Sequence, residues 1–323
     1  MISNLPNVID QANGDNWYLA NCDTVDVAKA MPDRSVGFSV FSPPFAQLFS
    51  YTSSERDFSN VLSYEQFFEG YSHLIREQAR VMMSGRLVAI HCMDLPTSKV
   101  IDGYIGLRDF PGDIIKAYQS AGFIFHSRVS IWKCPVVQVT RTKALGLLHK
   151  QAKKDSSMSR QGLADYLIVM RAPFENTEPI AHTNENFPVP LWQKYASPVW
   201  VTTRGVDEEG FAICVDPQGA GYAHEGDLDE GIDQGDTLNV RSSRDDADSR
   251  HMCPLQLPVI RRAIRLWSNP NDVVWSPFAG VGSEGVVALQ EGRRFVGAEL
   301  KTSYWKTAVQ NLNGATQQRL LAI

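Results

Sequence analysis

The chain has 323 residues, with 31 Lys and Arg against 36 Asp and Glu, and its formal net charge is −5. The composition, 43% hydrophobic and 21% charged, is that of an ordinary globular protein and excludes a disordered or fibrous chain. The sequence has no 18-residue apolar run and no signal-like start, which predicts a cytoplasmic protein without a membrane span. Its five cysteines include no C-x-x-C pair, which predicts reduced thiols and no metal site.

Helices that alternate with buried apolar strands fill the first 135 residues. After a strand–helix–strand unit at 17–41, the predicted elements are a helix of about 64–83, a strand at 87–90, a helix of about 113–120 and a strand at 123–133. Ser63 and Gln66 stand at capping-box spacing before the first of these later helices. This alternation predicts an α/β fold with a mostly parallel twisted sheet and helices on both faces.

Between 136 and 250 the alternation stops and the charges separate along the chain. Residues 140–160 carry a single acid, Asp155, and the basic residues Arg141, Lys143, Lys150, Lys153, Lys154 and Arg160. Residues 205–236 hold ten acids, no Lys or Arg, and many glycines. We interpret the basic run as a phosphate-contacting surface or a solvated face. The acidic run is a long solvated loop, or an insert that binds a partner or mimics nucleic acid. Without those ten acids the rest of the chain carries +5, so the net charge does not exclude a nucleic-acid partner.

A strand, a glycine loop and a helix follow one another near the C-terminus. The predicted elements there are a helix at 254–267, a strand at 272–275, a helix ending at about 291, a strand at 294–299 and a helix from about 303. Glu299 ends the second strand 17 residues after Gly282, where a carboxylate can accept hydrogen bonds from both ribose hydroxyls.

The glycine loop lacks the third glycine of a dinucleotide site and the Gly-Lys-Ser/Thr of a phosphate loop. This pattern predicts a nucleoside site without phosphates and disfavours a nicotinamide dehydrogenase. The simpler alternative is a tight turn beside a surface glutamate.

A second loop, Ser42-Pro43-Pro44-Phe45, follows the apolar run 36–41 at the expected carboxyl end of a central strand. Two prolines cannot continue a central strand, so the backbone leaves the sheet there with rigid carbonyls. The Ser42 hydroxyl and the Pro43 carbonyl could bind an exocyclic amine while Phe45 stacks on a planar base. Taken alone, the same four residues fit a proline-rich turn with a core Phe.

Together the two loops resemble the amino-methyltransferases of DNA, which move a methyl group from S-adenosylmethionine to cytosine N4 or adenine N6. The catalytic loop precedes the cofactor loop, as in the β arrangement of that family. Smaller matches are Asn21-Cys22-Asp23, Met31-Pro32-Asp33-Arg34-Ser35-Val36, Ile131-Trp132-Lys133-Cys134-Pro135, Arg141-Thr142-Lys143 and Asp165-Tyr166-Leu167-Ile168-Val169. The resemblance covers most of 16–100, 110–170 and 250–312. It implies a Rossmann-like class I methyltransferase domain with a variable insertion.

The resemblance assigns a role to each matched position. The catalytic loop is Ser42, Pro43, Pro44 and Phe45, and Trp132 and Lys133 border the base pocket. S-adenosylmethionine is expected to contact Asp23, His251, Phe278, Ala279, Gly280, Gly282, Ser283 and Glu299. Residues 1–135 form the catalytic half, 136–250 the target-recognition insertion and 251–323 the cofactor half. The basic residues of 140–160 are expected to contact DNA.

The implied partner is double-stranded DNA, with the target base flipped out of the stack. Ser42 stands where many members have Asp, a variant more typical of cytosine-N4 enzymes, so we expect that activity. Ser276 and Cys22 depart from the usual Asp and Gly of the family. Open alternatives are adenine N6 on the same scaffold, an RNA or small-molecule methyltransferase, and a non-catalytic DNA-binding relative. A homodimer and a cognate restriction enzyme also remain open.

Overall fold

The computed structural model describes residues 5–44, 63–100, 102–133, 138, 145–200, 204–206, 212–214, 236–238 and 255–321. In chain order its strands are β1 Asp10–Gly14, β2 Trp17–Asn21, β3 Val36–Phe41, β4 Met82–Met93, β5 Leu95–Pro96, β6 Leu107–Arg108, β7 Ile124–Ile131, β8 Asp165–Arg171, β9 Val199–Trp200, β10 Arg204–Val206, β11 Ala212–Cys214, β12 Val273–Ser276 and β13 Arg294–Ala298. The α-helices are α1 Thr24–Ala30, α2 Tyr64–Val81, α3 Phe110–Ser120, α4 His149–Lys154, α5 Val189–Tyr195, α6 Leu257–Trp267, α7 Ser283–Gln290 and α8 Thr302–Leu321.

Nine of the described strands form one sheet in the order β1-β2-β13-β12-β3-β4-β8-β7-β9. Strands β2, β13, β12, β3 and β4 are mutually parallel, whereas β1 and β8 run antiparallel to their neighbours and β7 pairs parallel with β9. The predicted mostly parallel sheet is therefore confirmed. Because β8 is antiparallel to both β4 and β7, strand β7 runs in the same direction as β3 and β4.

Helices cover both faces of the sheet, as predicted. One buried cluster joins the sheet to α6, α7 and α8 through residues such as Ile260, Val287 and Leu312. The other joins the opposite face to α1, α2 and α3 through residues such as Val27, Tyr71 and Ile114. Alternate residues of β4 and β8 belong to the two clusters, and β3 contributes to both, which is why β3 is buried along its whole length.

Local signals set the helix boundaries. Ser63 Oγ accepts from the Gln66 N–H and Gln66 Oε1 accepts from the Ser63 N–H, both at 3.2 Å, so the predicted capping box is present. Helix α3 begins three residues earlier than predicted because the Asp109 side chain caps it and Pro111 occupies its first turn. Helix α6 begins three residues later than predicted.

A buried ion pair ties β4 to the start of β12. Arg86 is fully buried, and its guanidinium donates to Asp272 Oδ2, to the Gly37 carbonyl at 3.0 Å and to the Glu178 carbonyl at 2.9 Å. These contacts satisfy a cation that could not otherwise remain inside the protein.

The segment 136–250 contributes two strands, β8 and β9, to the main sheet. Its division from the flanking halves stays a prediction. Nearly all of the acidic run lies outside the described residues, apart from the backbone of β10 and β11 and residue 236. In the described ranges, no helix is both long and apolar enough to cross a membrane.

Candidate functional site

Both predicted loops lie at one edge of the sheet. Strands β2, β13, β12, β3 and β4 are parallel, so their carboxyl ends meet there, as ligand-binding ends do in open α/β sheets. The Ser42 loop follows β3 and the glycine loop follows β12. These two strands pair directly, with Trp275 opposite Ser39. The centroids of the Phe41 and Phe278 rings lie 5.7 Å apart, so the two loops are in contact where they leave the sheet.

Hydrogen bonds fix the glycine loop in one conformation. Gly280 and Gly282 have φ of 53° and 89°, left-handed values that favour glycine. The Ala279 N–H donates to the Ala298 carbonyl at 2.9 Å, and Asn311 Nδ2 donates to the Val281 carbonyl at 2.8 Å. A Cβ built on Gly280 would have no heavy atom within 4 Å, so open space adjoins this position.

The Glu299 carboxylate is held beside that loop. Its Oε2 accepts from the Gly280 N–H at 2.9 Å and its Oε1 accepts from the Lys301 N–H at 2.8 Å. Asn21 secures the same corner by donating to the Glu299 and Leu300 carbonyls at 2.8 and 2.9 Å. A carboxylate oxygen has more than one lone pair, so each can also accept a ribose hydroxyl. These residues fit the nucleoside part of S-adenosylmethionine.

A second carboxyl lies behind the loop. Glu284, in the first turn of α7, is 4% exposed. Burial raises the pKa of its carboxyl to about 8; a backbone hydrogen bond opposes the rise and the nearby Glu299 carboxylate adds to it. Glu284 therefore keeps its proton at neutral pH, and the corner carries one negative charge from this pair.

The other predicted cofactor residues have structural partners as well. Phe278 is half-buried against Phe41 and Tyr71. Ser283 is buried as the first residue of α7, and Asp23 caps α1 by accepting from the Val25 N–H at 2.8 Å. His251 lies outside the described residues. The contacts of these residues with a cofactor stay predictions.

Ser42 makes a contact that no sequence pattern predicts. Its Oγ lies 2.8 Å from Nδ1 of His91, near the end of β4, and His91 Nε2 lies 3.0 Å from Asp165 Oδ2, at the start of β8. Lys133 Nζ lies 2.5 Å from the same carboxylate oxygen. A histidine at the ligand end of a buried apolar strand was the available signal for this residue. For Asp165 the only signal is its place in a segment that resembles the family.

The Asp165 carboxyl is ionised. Its burial alone would raise its pKa, but the adjacent His91 and Lys133 lower it below its ordinary value. Lys133, predicted to border the base pocket, therefore reaches this site through Asp165. The neighbouring Trp132 has a half-buried side chain, and its backbone N–H donates to the Trp200 carbonyl at 3.0 Å.

Of the basic run, Lys150, Lys153 and Lys154 lie exposed on α4, and Arg160 is half-buried and donates to the Gln161 carbonyl at 3.2 Å. The connection from β7 to β8 that carries them leaves from and returns to the sheet edge where Ser42 lies, because β7 is parallel to β3 and β8 is antiparallel. Phe45, Arg141 and Lys143 lie outside the described residues. Among the described residues, no group of three or more His, Cys, Asp or Glu side chains could hold a metal ion.

Comparisons with known proteins agree with this geometry. A family model described as DNA methylase, of the N6 and N4 methyltransferases, matches residues 36–310. The DNA adenine methyltransferase YhdJ of Escherichia coli (strain K12) is 40% identical over 65 residues, which are 20% of this chain and 22% of that protein. The type II methyltransferase M.BglII of Bacillus subtilis is 35% identical over 86 residues, which are 26% of this chain and 24% of that protein. The matched segments thus span about a quarter or less of these curated relatives.

Two solved structures share the fold over nearly the whole chain. The PvuII DNA methyltransferase (cytosine-N4-specific) has a TM-score of 0.60 at 13% identity, covering 96% of this chain and 94% of that one. The Thermus thermophilus protein TTHA0409, complexed with S-adenosyl-L-methionine, has a TM-score of 0.59 at 19% identity, covering 91% of each chain. At these identities the likeness shows a shared class I methyltransferase fold. Since the family model spans most of the sequence, the chain belongs to the DNA methylase family, and its resemblance to the β-arranged DNA amino-methyltransferases is confirmed.

Proposed function

We propose that this protein transfers a methyl group from S-adenosylmethionine to the exocyclic amine of a base flipped out of double-stranded DNA, and that the target is cytosine N4. The observation that carries the proposal is the placement of two loops on adjacent paired strands. The Ser42 loop suits an amine and the glycine loop suits a nucleoside. The contact between the Phe41 and Phe278 rings holds the two loops together where they leave the sheet.

The cofactor site follows from rigid groups of this chain. Glu299, fixed by the Gly280 and Lys301 N–H groups, would accept the ribose hydroxyls. The glycine backbone would let the nucleoside approach closely, with Phe278 at its side. When bound, S-adenosylmethionine supplies a methyl group already activated by its sulfonium.

The base site needs to orient a weak nucleophile. The lone pair of an exocyclic amine is conjugated with the ring, so hydrogen bonds from its two protons to Ser42 Oγ and the Pro43 carbonyl favour a pyramidal nitrogen. Pro43 is buried and Pro44 half-buried, which limits movement of the loop. Holding the amine in line with the methyl group provides most of the acceleration.

Cytosine N4 is favoured because Ser42 occupies the position where many adenine enzymes of the resembled family carry Asp. The second candidate is adenine N6, which the adenine-specific name of the relative YhdJ supports. Both targets use the same loops and differ in the size of the base that the pocket admits.

Double-stranded DNA would approach the edge where the strands end. The exposed lysines of α4 lie on the β7–β8 connection at that edge and would contact phosphates, together with Arg160 and the predicted Arg141 and Lys143. A base inside the stack cannot reach Ser42, so the enzyme must flip it. Dimerisation and a cognate restriction enzyme stay predictions.

The test is methyl transfer from tritiated S-adenosylmethionine to unmethylated plasmid, followed by nucleoside analysis and single-molecule sequencing. We expect N4-methylcytosine at one sequence motif, and loss of transfer in Ser42→Ala. The exposed His126→Gln on β7 is the control and should retain full activity. Finding N6-methyladenine alone would establish the second candidate. Transfer only to RNA or small molecules, or no transfer with normal cofactor binding, would refute the proposal.

A further inference from the structure

Four side chains form a continuous hydrogen-bonded line at the ligand end of the sheet. The line runs from Ser42 Oγ to His91 at 2.8 Å, from His91 to Asp165 at 3.0 Å and from Asp165 to Lys133 at 2.5 Å. Each residue comes from a different segment: the loop after β3, strand β4, the start of β8 and the residues after β7. His91 is 5% exposed and Asp165 is 2% exposed, whereas Ser42 is half-buried at the open end.

The chemistry of the line fixes where its hydrogens lie. The Asp165 carboxylate can only accept, so His91 Nε2 must carry a hydrogen and donate it. In a neutral imidazole the other nitrogen, Nδ1, then accepts, and the available donor is the Ser42 hydroxyl. Because the Ser42 hydrogen points to His91, the lone pairs of its oxygen face away from His91.

We propose that His91 is a positioning residue for methyl transfer, which holds the Ser42 hydroxyl as a hydrogen-bond acceptor for the base amine and, through Ser42, takes up the proton that the amine loses. This inference rests on the proposed function and adds to it the fate of a proton. Asp165 fixes the tautomer and orientation of His91, and Lys133 holds Asp165 in its ionised form.

The step balances in atoms and charge. The lone pair of the amine nitrogen forms the new N–C bond as the C–S bond of the methyl donor breaks, which leaves a neutral thioether and a cationic nitrogen. That nitrogen gives one proton to Ser42 Oγ as the Ser42 hydrogen moves to His91 Nδ1. The products are a neutral methylated amine and an imidazolium beside the Asp165 carboxylate, and the imidazolium later returns its proton to solvent.

A merely structural histidine would not need this alignment. Asp165 already has a cationic partner in Lys133, so its burial does not require His91. Nor does β4 require a polar residue here, since Ala89, two residues earlier on the same face of the strand, is buried in an apolar cluster. A buried imidazole that connects a carboxylate to a serine in the ligand-facing loop is what transfer of a proton demands.

The first experiment examines the ligand-free protein. Nitrogen-15 NMR of histidine-labelled protein, with His91 assigned by its loss in His91→Gln, should show the Nε2–H tautomer at mildly alkaline pH. Asp165→Asn should abolish that preference. Finding the Nδ1–H tautomer in the wild type would overturn the inference. This result does not depend on methyl transfer, so failure of the hydrogen-bonded line is distinguished from failure of the proposed function.

The second experiment measures single-turnover methyl transfer. We expect His91→Gln and Asp165→Asn to lower the rate constant about 10²-fold, within the range for general bases, while KM for DNA and the Kd for cofactor change by less than about threefold. The double variant Ser42→Ala/His91→Gln should be no slower than Ser42→Ala, because the two residues act as one unit. Multiplying losses, or a loss confined to KM, would show that His91 does not act through Ser42.

A pH profile separates proton uptake from packing. Protonation turns His91 Nδ1 into a donor, so the wild-type rate constant should fall on the acid side, and His91→Gln should lose that fall. The described charged groups facing the imidazole are Asp165, whose pKa lies below its ordinary value, and, beyond it, Lys133. His126→Gln on β7 is the matched control and should keep the wild-type profile. An acid limb that persists in His91→Gln would overturn the inference.

Discussion

Replacing Glu284 with Gln should make the protein more stable at alkaline pH. In the folded chain burial raises the pKa of this carboxyl from the ordinary value of 4.5 to about 8, so the fold binds its proton more tightly than the unfolded chain does. The free energy of unfolding therefore falls as pH rises from about 4.5 to about 8 and levels off above that. Gln has nearly the shape of the neutral acid and cannot ionise.

The size of the effect follows from the same pKa. Each pH unit between the two values lowers the free energy of unfolding by up to about 1.4 kcal/mol, so the total approaches about 4–5 kcal/mol as an upper limit. We expect wild type and Glu284→Gln to have similar stabilities near pH 4.5, and the variant to be more stable by most of that amount above pH 8.

Urea unfolding at a series of pH values measures this difference. The exposed Glu69→Gln on α2 is the matched control and should follow the wild-type curve. Infrared spectra of the folded protein provide a direct check, because Glu284→Gln should remove a protonated carboxyl band at neutral pH. Parallel pH curves for wild type and Glu284→Gln, with no such band, would refute the reasoning.

Three further predictions concern the glycine loop, the buried ion pair and the lysines of α4. Gly282→Ala should lower the free energy of unfolding by about 1–2 kcal/mol, because a φ of 89° is strained for Ala and the new Cβ would lie 3.2 Å from Ala308 Cβ. The control Gly314→Ala, in α8, should be neutral or stabilising, and urea unfolding measures both variants. Asp272→Ala should cost about 3–5 kcal/mol by leaving the buried Arg86 unpaired, and an exposed-pair control, Lys116→Ala, should cost less than about 1 kcal/mol by thermal unfolding. Replacing the three lysines of α4 with Ala should reduce the salt dependence of DNA binding by up to about 3 in log–log slope, as measured by fluorescence anisotropy; an unchanged slope would remove α4 from the DNA-binding surface.

The parts of the site that the sequence predicted depend on local signals. Two prolines after an apolar run end β3 just before Ser42, and a glycine loop between a strand and a helix can be identified within about a dozen residues. Both features follow from backbone restrictions that act within a few residues. The class of fold follows in the same way from the alternation of helices and buried strands.

The contact between His91 and Asp165 depends on pairing that no local pattern reveals. Strand β8 enters the sheet antiparallel between β4 and β7, and this places residue 165 opposite Met93 and Ile131. The direction of β8 was not predicted, since a buried run of apolar residues looks alike in either orientation. No local pattern predicts the raised pKa of Glu284 either, because it comes from burial of this side chain by the packing around α7.

The sheet order has a consequence for how the protein is made. Strands β2 and β3 follow each other in sequence, yet β13 and β12 lie between them in the sheet. The gap is closed by contacts across very long loops, such as the Asn21–Glu299 hydrogen bond at a separation of 278 residues. Contacts this distant in sequence slow folding, because a long loop must close before they form. A ribosome-bound chain that has not yet reached β12 therefore lacks both the strands that lie between β2 and β3 and the glycine loop, so the sheet and the candidate site can be completed only after residues 273–298 have been synthesised.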